Sequence, residues 1–160
     1  MTTLHRRFAG VVTAAVLAVA TTGCGVTIPS DPDGTLRRIA SSRELRAGAS
    51  PAGDALSVDG QGVSGPLASL VEGFAAEQGA RVEWVVAGEE TLVDDLEAGD
   101  IDLAVGGMTT ASPWSERVSV TRGYDDIVDG DDRSFVVLLP LGENALQLAL
   151  EAYLDREARR

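Results

Sequence analysis

Between Leu45 and Val105 the chain reads as three strands separated by two amphipathic helices, an order that leaves few folds open. The first strand is Leu45 to Ala49. A loop rich in Gly, Ser and Asp follows, from Ser50 to Gly65, and Pro66 then occupies a first helical position. Leu67, Leu70, Val71, Phe74 and Ala75 repeat at i, i+3, i+4, i+7 and i+8, which lays one apolar stripe along a helix ended by Gly79. Arg81 to Val86 is β-branched and aromatic, hence a second strand. Glu89 to Ala98 is a second helix with Leu92, Val93 and Leu96 inward, closed by Gly99. Ile101 to Val105 is nearly all apolar, as a strand buried on both faces must be. A βαβαβ series of this kind calls for a parallel sheet with helices covering it.

The flanks add shorter elements. Thr35 to Ser42 precedes the first strand as a short helix. Ser112-Pro113 opens one helical turn through Trp114 and Arg117, and Val118 to Thr121 is extended. Five Asp fall within Asp125–Asp132 with no hydrophobic period, which marks an exposed loop. Phe135 to Leu139 is a last strand. A final helix carries Leu146, Leu150, Tyr153 and Leu154 on one face, with Asn144 as its expected cap.

The N-terminus addresses the chain to the cell envelope. Arg6-Arg7 precede an apolar run, Phe8 to Ala20, shorter than the roughly 20 residues that span a bilayer. Thr21-Thr22-Gly23-Cys24 follows, with the chain's only cysteine directly after small residues. This segment is similar to the lipobox of bacterial lipoproteins, with Thr21 where Leu is usual. The similarity implies a signal peptide over 1–23, a lipid on Cys24, a flexible tether over 24–34 and a cell-membrane location on the extracytoplasmic face. A secretory signal with an incidental Cys24 is the alternative. In either case a single Cys permits no internal disulfide. The 25 acidic residues outweigh 13 basic ones for a net charge of −12, and loss of Arg6 and Arg7 deepens it to −14. Such acidity argues against nucleic acid and against a polybasic membrane contact.

The order of elements, with its residues, resembles lobe I of the family 3 (amino-acid type) extracytoplasmic solute-binding proteins of ABC transporters. Thr35-Leu36-Arg37-Arg38-Ile39 before Leu45-Arg46-Ala47-Gly48 is similar to the family's opening. Leu92 through Gly107, with its Leu-rich helix, Gly99-Asp100 turn and strand running to Met108 and Thr109, is the most specific stretch. Val120-Thr121-Arg122-Gly123-Tyr124 lies where the family leads into its interlobe hinge. The resemblance implies an α/β fold with a three-layer, mainly parallel sheet, a single lobe of the type II periplasmic-binding-protein fold over 35–160. Only ten residues, 125–134, separate Tyr124 from the returning strand. A βαβ unit alone needs about 30 residues, so lobe II is missing. A lone lobe leaves a ligand half uncovered and weakens its binding.

The resemblance also implies where ligand groups belong, and the chain departs there. The family's carboxylate-gripping Arg, a bidentate fork, falls at Trp114. Its aromatic position falls at Leu56 and its acidic position at Ser64. Arg117, one turn beyond Trp114, is the candidate replacement or else a solvated surface arginine. Trp114 is either a plug against the third strand or a stacking residue. Two functions remain open. A small-molecule solute would use Ser50, Gly107, Thr109 and Thr110. An envelope-protein partner or a second copy would use an apolar mouth of Leu56, Met108 and Trp114. No enzyme, cofactor or metal is expected: the only His, His5, lies in the signal, and Asp94-Asp95, Asp125-Asp126 and Asp131-Asp132 match no ligand spacing. Gly106-Gly107 belongs to no phosphate-loop pattern.

Overall fold

The computed structural model describes residues 31–60, 62–125 and 127–159. Cys24, the expected signal peptide and the tether up to residue 30 lie outside them. The elements are α1 (Thr35–Ser42), β1 (Glu44–Ala49), β2 (Ser57–Asp59), β3 (Gly62–Ser64), α2 (Pro66–Glu77), β4 (Arg81–Val86), α3 (Glu89–Ala98), β5 (Leu103–Val105), a 3₁₀ turn (Pro113–Glu116), β6 (Ser119–Val120), β7 (Leu138–Leu139) and α4 (Asn144–Glu157). The main sheet has the order β4-β1-β5-β7-β6. β1 runs parallel to both β4 and β5, whereas β7 is antiparallel to β5 and β6. This is the α/β, parallel-dominated sheet expected of a single periplasmic-binding-protein lobe.

Alternation along the strands divides the core into two layers. Leu103 and Val105 of β5, with Leu139 of β7, join Ile39 of α1, Val71 and Phe74 of α2 and Leu146 and Leu150 of α4 on one face. Ala104 and Leu138 point the other way, to Leu92, Val93 and Leu96 of α3. The helix stripes read from the sequence are therefore the buried faces: Leu67, Val71, Phe74 and Ala75 on α2, and Leu146, Leu150, Tyr153 and Leu154 on α4. Gly48 in β1 permits the second layer. A Cβ there would lie 2.7 Å from Leu92 Cδ2 and 2.8 Å from Ile101 Cδ1.

Three local expectations change. The Ser50–Gly65 loop contains the β2–β3 hairpin, in register Val58↔Val63. Each strand offers one valine to the core edge, too short an alternation to read from sequence. The returning strand forms a ladder only at Leu138–Leu139, because its earlier residues are shared between neighbours: Phe135 bridges both Thr109 and Tyr124. Asn144 does not cap α4 by a side-chain bond. The preceding residue, Glu143, caps α1 instead, accepting the Asp33 N–H at 2.9 Å and the Thr35 N–H at 3.0 Å. Those bonds fasten residues 31–35, the inner end of the expected tether, to the start of α4. A single buried carboxylate thus fills two orphan donors at a helix start.

Candidate functional site

The ends of β1 and β5 meet with no side chain between them. The Ser50 N–H donates to the Val105 carbonyl at 3.0 Å, and a Cβ on Gly106 would lie 2.4 Å from the Ser50 carbonyl oxygen. Only glycine lets the two chains approach so closely there. Gly107 continues the bare backbone, and a Cβ built on it would lie 3.3 Å from Glu89 Oε1. Glu89 is held at this edge because it opens α3 just after β4, with Gly88 as the cap. A carboxylate suits the first turn of a helix, where it meets the positive end of the backbone dipole. Trp114 completes the cluster from the 3₁₀ turn, donating its indole N–H to Glu89 Oε2 at 3.5 Å.

The expected site residues separate into two groups. Ser50 lies against Gly106, with Gly107 next in the chain, and Thr109 and Thr110 continue from there to the returning segment. Thr109 pairs with Phe135, its carbonyl accepts the Ser112 N–H at 2.8 Å, and the Thr110 N–H donates to the Ser134 carbonyl at 3.1 Å. Leu56 and Met108, expected at an exposed apolar mouth, are instead interior, 0% and 1% exposed. Leu56 turns inward because its carbonyl accepts the Ala52 N–H, folding the loop onto the first core layer. Met108 turns inward because its carbonyl accepts the Val136 N–H, which fixes its side chain on the α3 layer. Trp114 is half-buried and packs against that same layer, so the apolar mouth does not form.

Arg117 does not replace the missing fork. Its guanidinium donates to Asp94 at 2.7 Å and to Glu97, both on α3, and these bonds raise its pKa. It also lies 5.9 Å from the Trp114 ring centroid. Arg133 is likewise committed. It grips Asp131, donates to the Ala52 carbonyl at 3.1 Å and stacks 4.7 Å over Phe135, folding the acidic segment back onto the loop after β1. Arg122 pairs with Glu151 and Asp155.

Two other carboxylates escaped sequence reading. Asp102, the one charged residue of the 101–105 stretch, is 1% exposed and takes Arg38, the Arg46 guanidinium at 2.6 Å and the Arg46 N–H at 2.9 Å. It lines an open groove of about 820 Å³ at the opposite end of the sheet, with Arg38, Arg46, Glu97, Arg117 and Leu141. Although spacious, that groove offers a ligand only cations that already have partners, and it is a weaker candidate than the strand ends. Glu143 is paired with Asp31. Their shared hydrogen bond, then burial, pushes the Asp31 carboxyl up to about 6. Burial works against the Glu143 charge, but the bonds from Asp31 and from the Asp33 and Thr35 N–H groups outweigh it and lower its pKa. Among the described residues, no group of His, Cys, Asp and Glu could hold a metal ion, and no helix is long and apolar enough to cross a membrane.

No family model matches the sequence, and no curated protein sequence matches it. Solved structures do match in fold. A point mutant of the arginine-bound form of domain 1 from TmArgBP superposes with a TM-score of 0.68 at 20% identity, covering 78% of this chain and 99% of that one. An ancestral amino-acid-binding protein, a precursor of cyclohexadienyl dehydratase, gives 0.66 at 14% identity over 78% of this chain and 94% of that one. A periplasmic binding protein of Salmonella typhimurium with high arginine specificity gives 0.62 at 11% identity, over 74% and 94%. The described chain therefore has the fold of one lobe of a periplasmic solute-binding protein.

Proposed function

We propose that this chain is the solute-recognition lobe of an ABC-transporter-type binding protein, held on the extracytoplasmic membrane face by a lipid on Cys24. The ten residues 125–134 stand where such proteins have a second lobe. One observation carries the reading: β1 and β5 end side by side, with Ser50 against the bare backbone of Gly106 and Gly107 following it. Open α/β sheets take their ligands at the carboxyl ends of such strands. The arginine-bound form of domain 1 from TmArgBP supports it, since there a domain of this fold is ligand-bound.

The committed arginines limit what binds. With Trp114 in place of a carboxylate fork and no facing lobe, free α-amino acids bind more weakly than micromolar. Calorimetric titration against the common amino acids and small organic cations tests the reading. Saturable binding of at least one small solute is expected, and none at all overturns it. Leu56 and Met108, the apolar residues expected at a docking mouth, are buried. The anchor has its own test. Cys24→Ala should release the protein from membranes or leave it as precursor, and mature protein that still sediments with membranes would refute the lipid.

A further inference from the structure

We infer that the ligand of this site is a small organic cation lacking a carboxylate, an amine or guanidine compound held by Glu89. The inference rests on the proposed solute-binding role and names its ligand class. Glu89 Oε2 accepts the Trp114 indole N–H, but Oε1 takes no hydrogen bond from any described residue. It lies against Gly107, close enough that a Cβ on that residue would come within 3.3 Å of it. The long indole bond engages one carboxylate oxygen, and the second is left to accept from a ligand. A carboxylate oxygen without a protein partner is an acceptor for a charge-assisted bond from an N–H cation, the stronger kind of hydrogen bond.

The surrounding charges select against a carboxylate on the ligand. The three arginines between Gly107 and Phe135 are Arg117, Arg122 and Arg133, and each is ion-paired: with Asp94 and Glu97, with Glu151 and Asp155, and with Asp131. None is left to grip an anion. A ligand carboxylate brought beside Glu89 would meet a like charge and no counter-charge, under the added field of a chain with net charge −12. The site thus reverses the polarity that an arginine at position 114 would give it.

Agmatine and arginine form the decisive probe pair, since they differ by one carboxylate. The full chain in detergent micelles is titrated calorimetrically with each, at low and moderate salt. Agmatine is expected to bind at least tenfold more tightly than arginine, and its affinity should fall with salt. Glu89→Gln should lower agmatine affinity at least tenfold with the thermal midpoint little changed. The neighbouring Glu90→Gln, an exposed carboxylate of the same helical turn, should leave it unaltered. Arginine binding equal to or tighter than agmatine overturns the inference while leaving the solute-binding role standing. Equal loss in Glu89→Gln and Glu90→Gln also overturns it, by showing a diffuse field rather than a site. No saturable binding of either probe or of any other small solute overturns both readings together.

Discussion

The two ends of the sheet each hold a carboxylate beside cationic or N–H donors, and they use it in opposite ways. At the amino end Asp102 is 1% exposed and receives two guanidinium groups and a backbone N–H. At the carboxyl end Glu89 is half-buried and receives one long indole bond, with its other oxygen open beside Gly107. Saturated acceptor oxygens make Asp102 a clasp between α1, β1 and β5. An unfilled acceptor oxygen leaves Glu89 able to bind a ligand donor. Counting the bonds at each oxygen therefore separates a structural carboxylate from a recognition carboxylate more clearly than burial or groove size does.

Breaking the clasp should have the largest effect. Asp102→Ala strands the Arg46 N–H and frees two guanidinium groups that are only partly exposed. Stability should fall by about 2–3 kcal/mol in urea unfolding. Agmatine binding to the folded fraction should not change. Equal damage to binding would mean that the two ends are not independent.

Trp114→Ala comes next. A fully buried Trp truncation costs about 3–5 kcal/mol, and Trp114 is only half-buried, so a loss of about 1–2 kcal/mol is expected. Agmatine affinity should drop as well, because the Glu89 carboxylate loses its orienting donor. A loss above 4 kcal/mol with binding intact would make Trp114 a core plug alone.

The Asp31–Glu143 pair is intermediate between the two ends, a saturated carboxylate whose neighbour holds a proton. The Glu143 hydrogen bond and burial push the Asp31 carboxyl in the folded chain up to about 6, from its ordinary value of 3.8. Between those values the folded state binds the extra proton, so the Asp31 contribution falls as pH rises from about 4 to about 6 and is flat above. Asp31→Asn should remove that part of the slope, read from urea midpoints across pH 4–7. An unchanged profile would show that the pair is not proton-linked.

The smallest stability effect belongs to Glu89→Gln. It keeps the indole acceptor and removes only charge, so the change should stay within about 0.5 kcal/mol. Its signature is in binding, where the loss should be at least tenfold. Together with Asp102→Ala it forms a crossed pair, one variant moving stability and the other moving affinity.

Much of the framework was legible without coordinates, for a definite reason. The bounds of α1, α2, β4 and α3 follow from Pro66, Gly79, Gly99 and the 3.6-residue stripes, all local signals. The site was only partly legible. Ser50 lies against Gly106 at the strand ends, whereas Thr109 and Thr110 pair with the returning segment at Phe135 and Ser134. Leu56 and Met108 were misplaced because main-chain hydrogen bonds to Ala52 and Val136 decide which way they turn. Glu89 gave no signal, since an acidic residue in a first helical turn is ordinary capping chemistry. Its role depends on Gly107 and Trp114, 18 and 25 positions away.

From sequence alone came the α/β class, the helix faces, the short 125–134 connection and the replacement at position 114. The first three depend on periodicity or spacing along the chain, and the replacement at position 114 is what the family resemblance implies. Tertiary structure alone decided which carboxylates are satisfied. Asp102 and Glu143 are filled by donors more than 50 residues away, and Glu89 is left with an open oxygen. Hydrogen-bond saturation is a property of the packed neighbourhood, and no local pattern of residues encodes it.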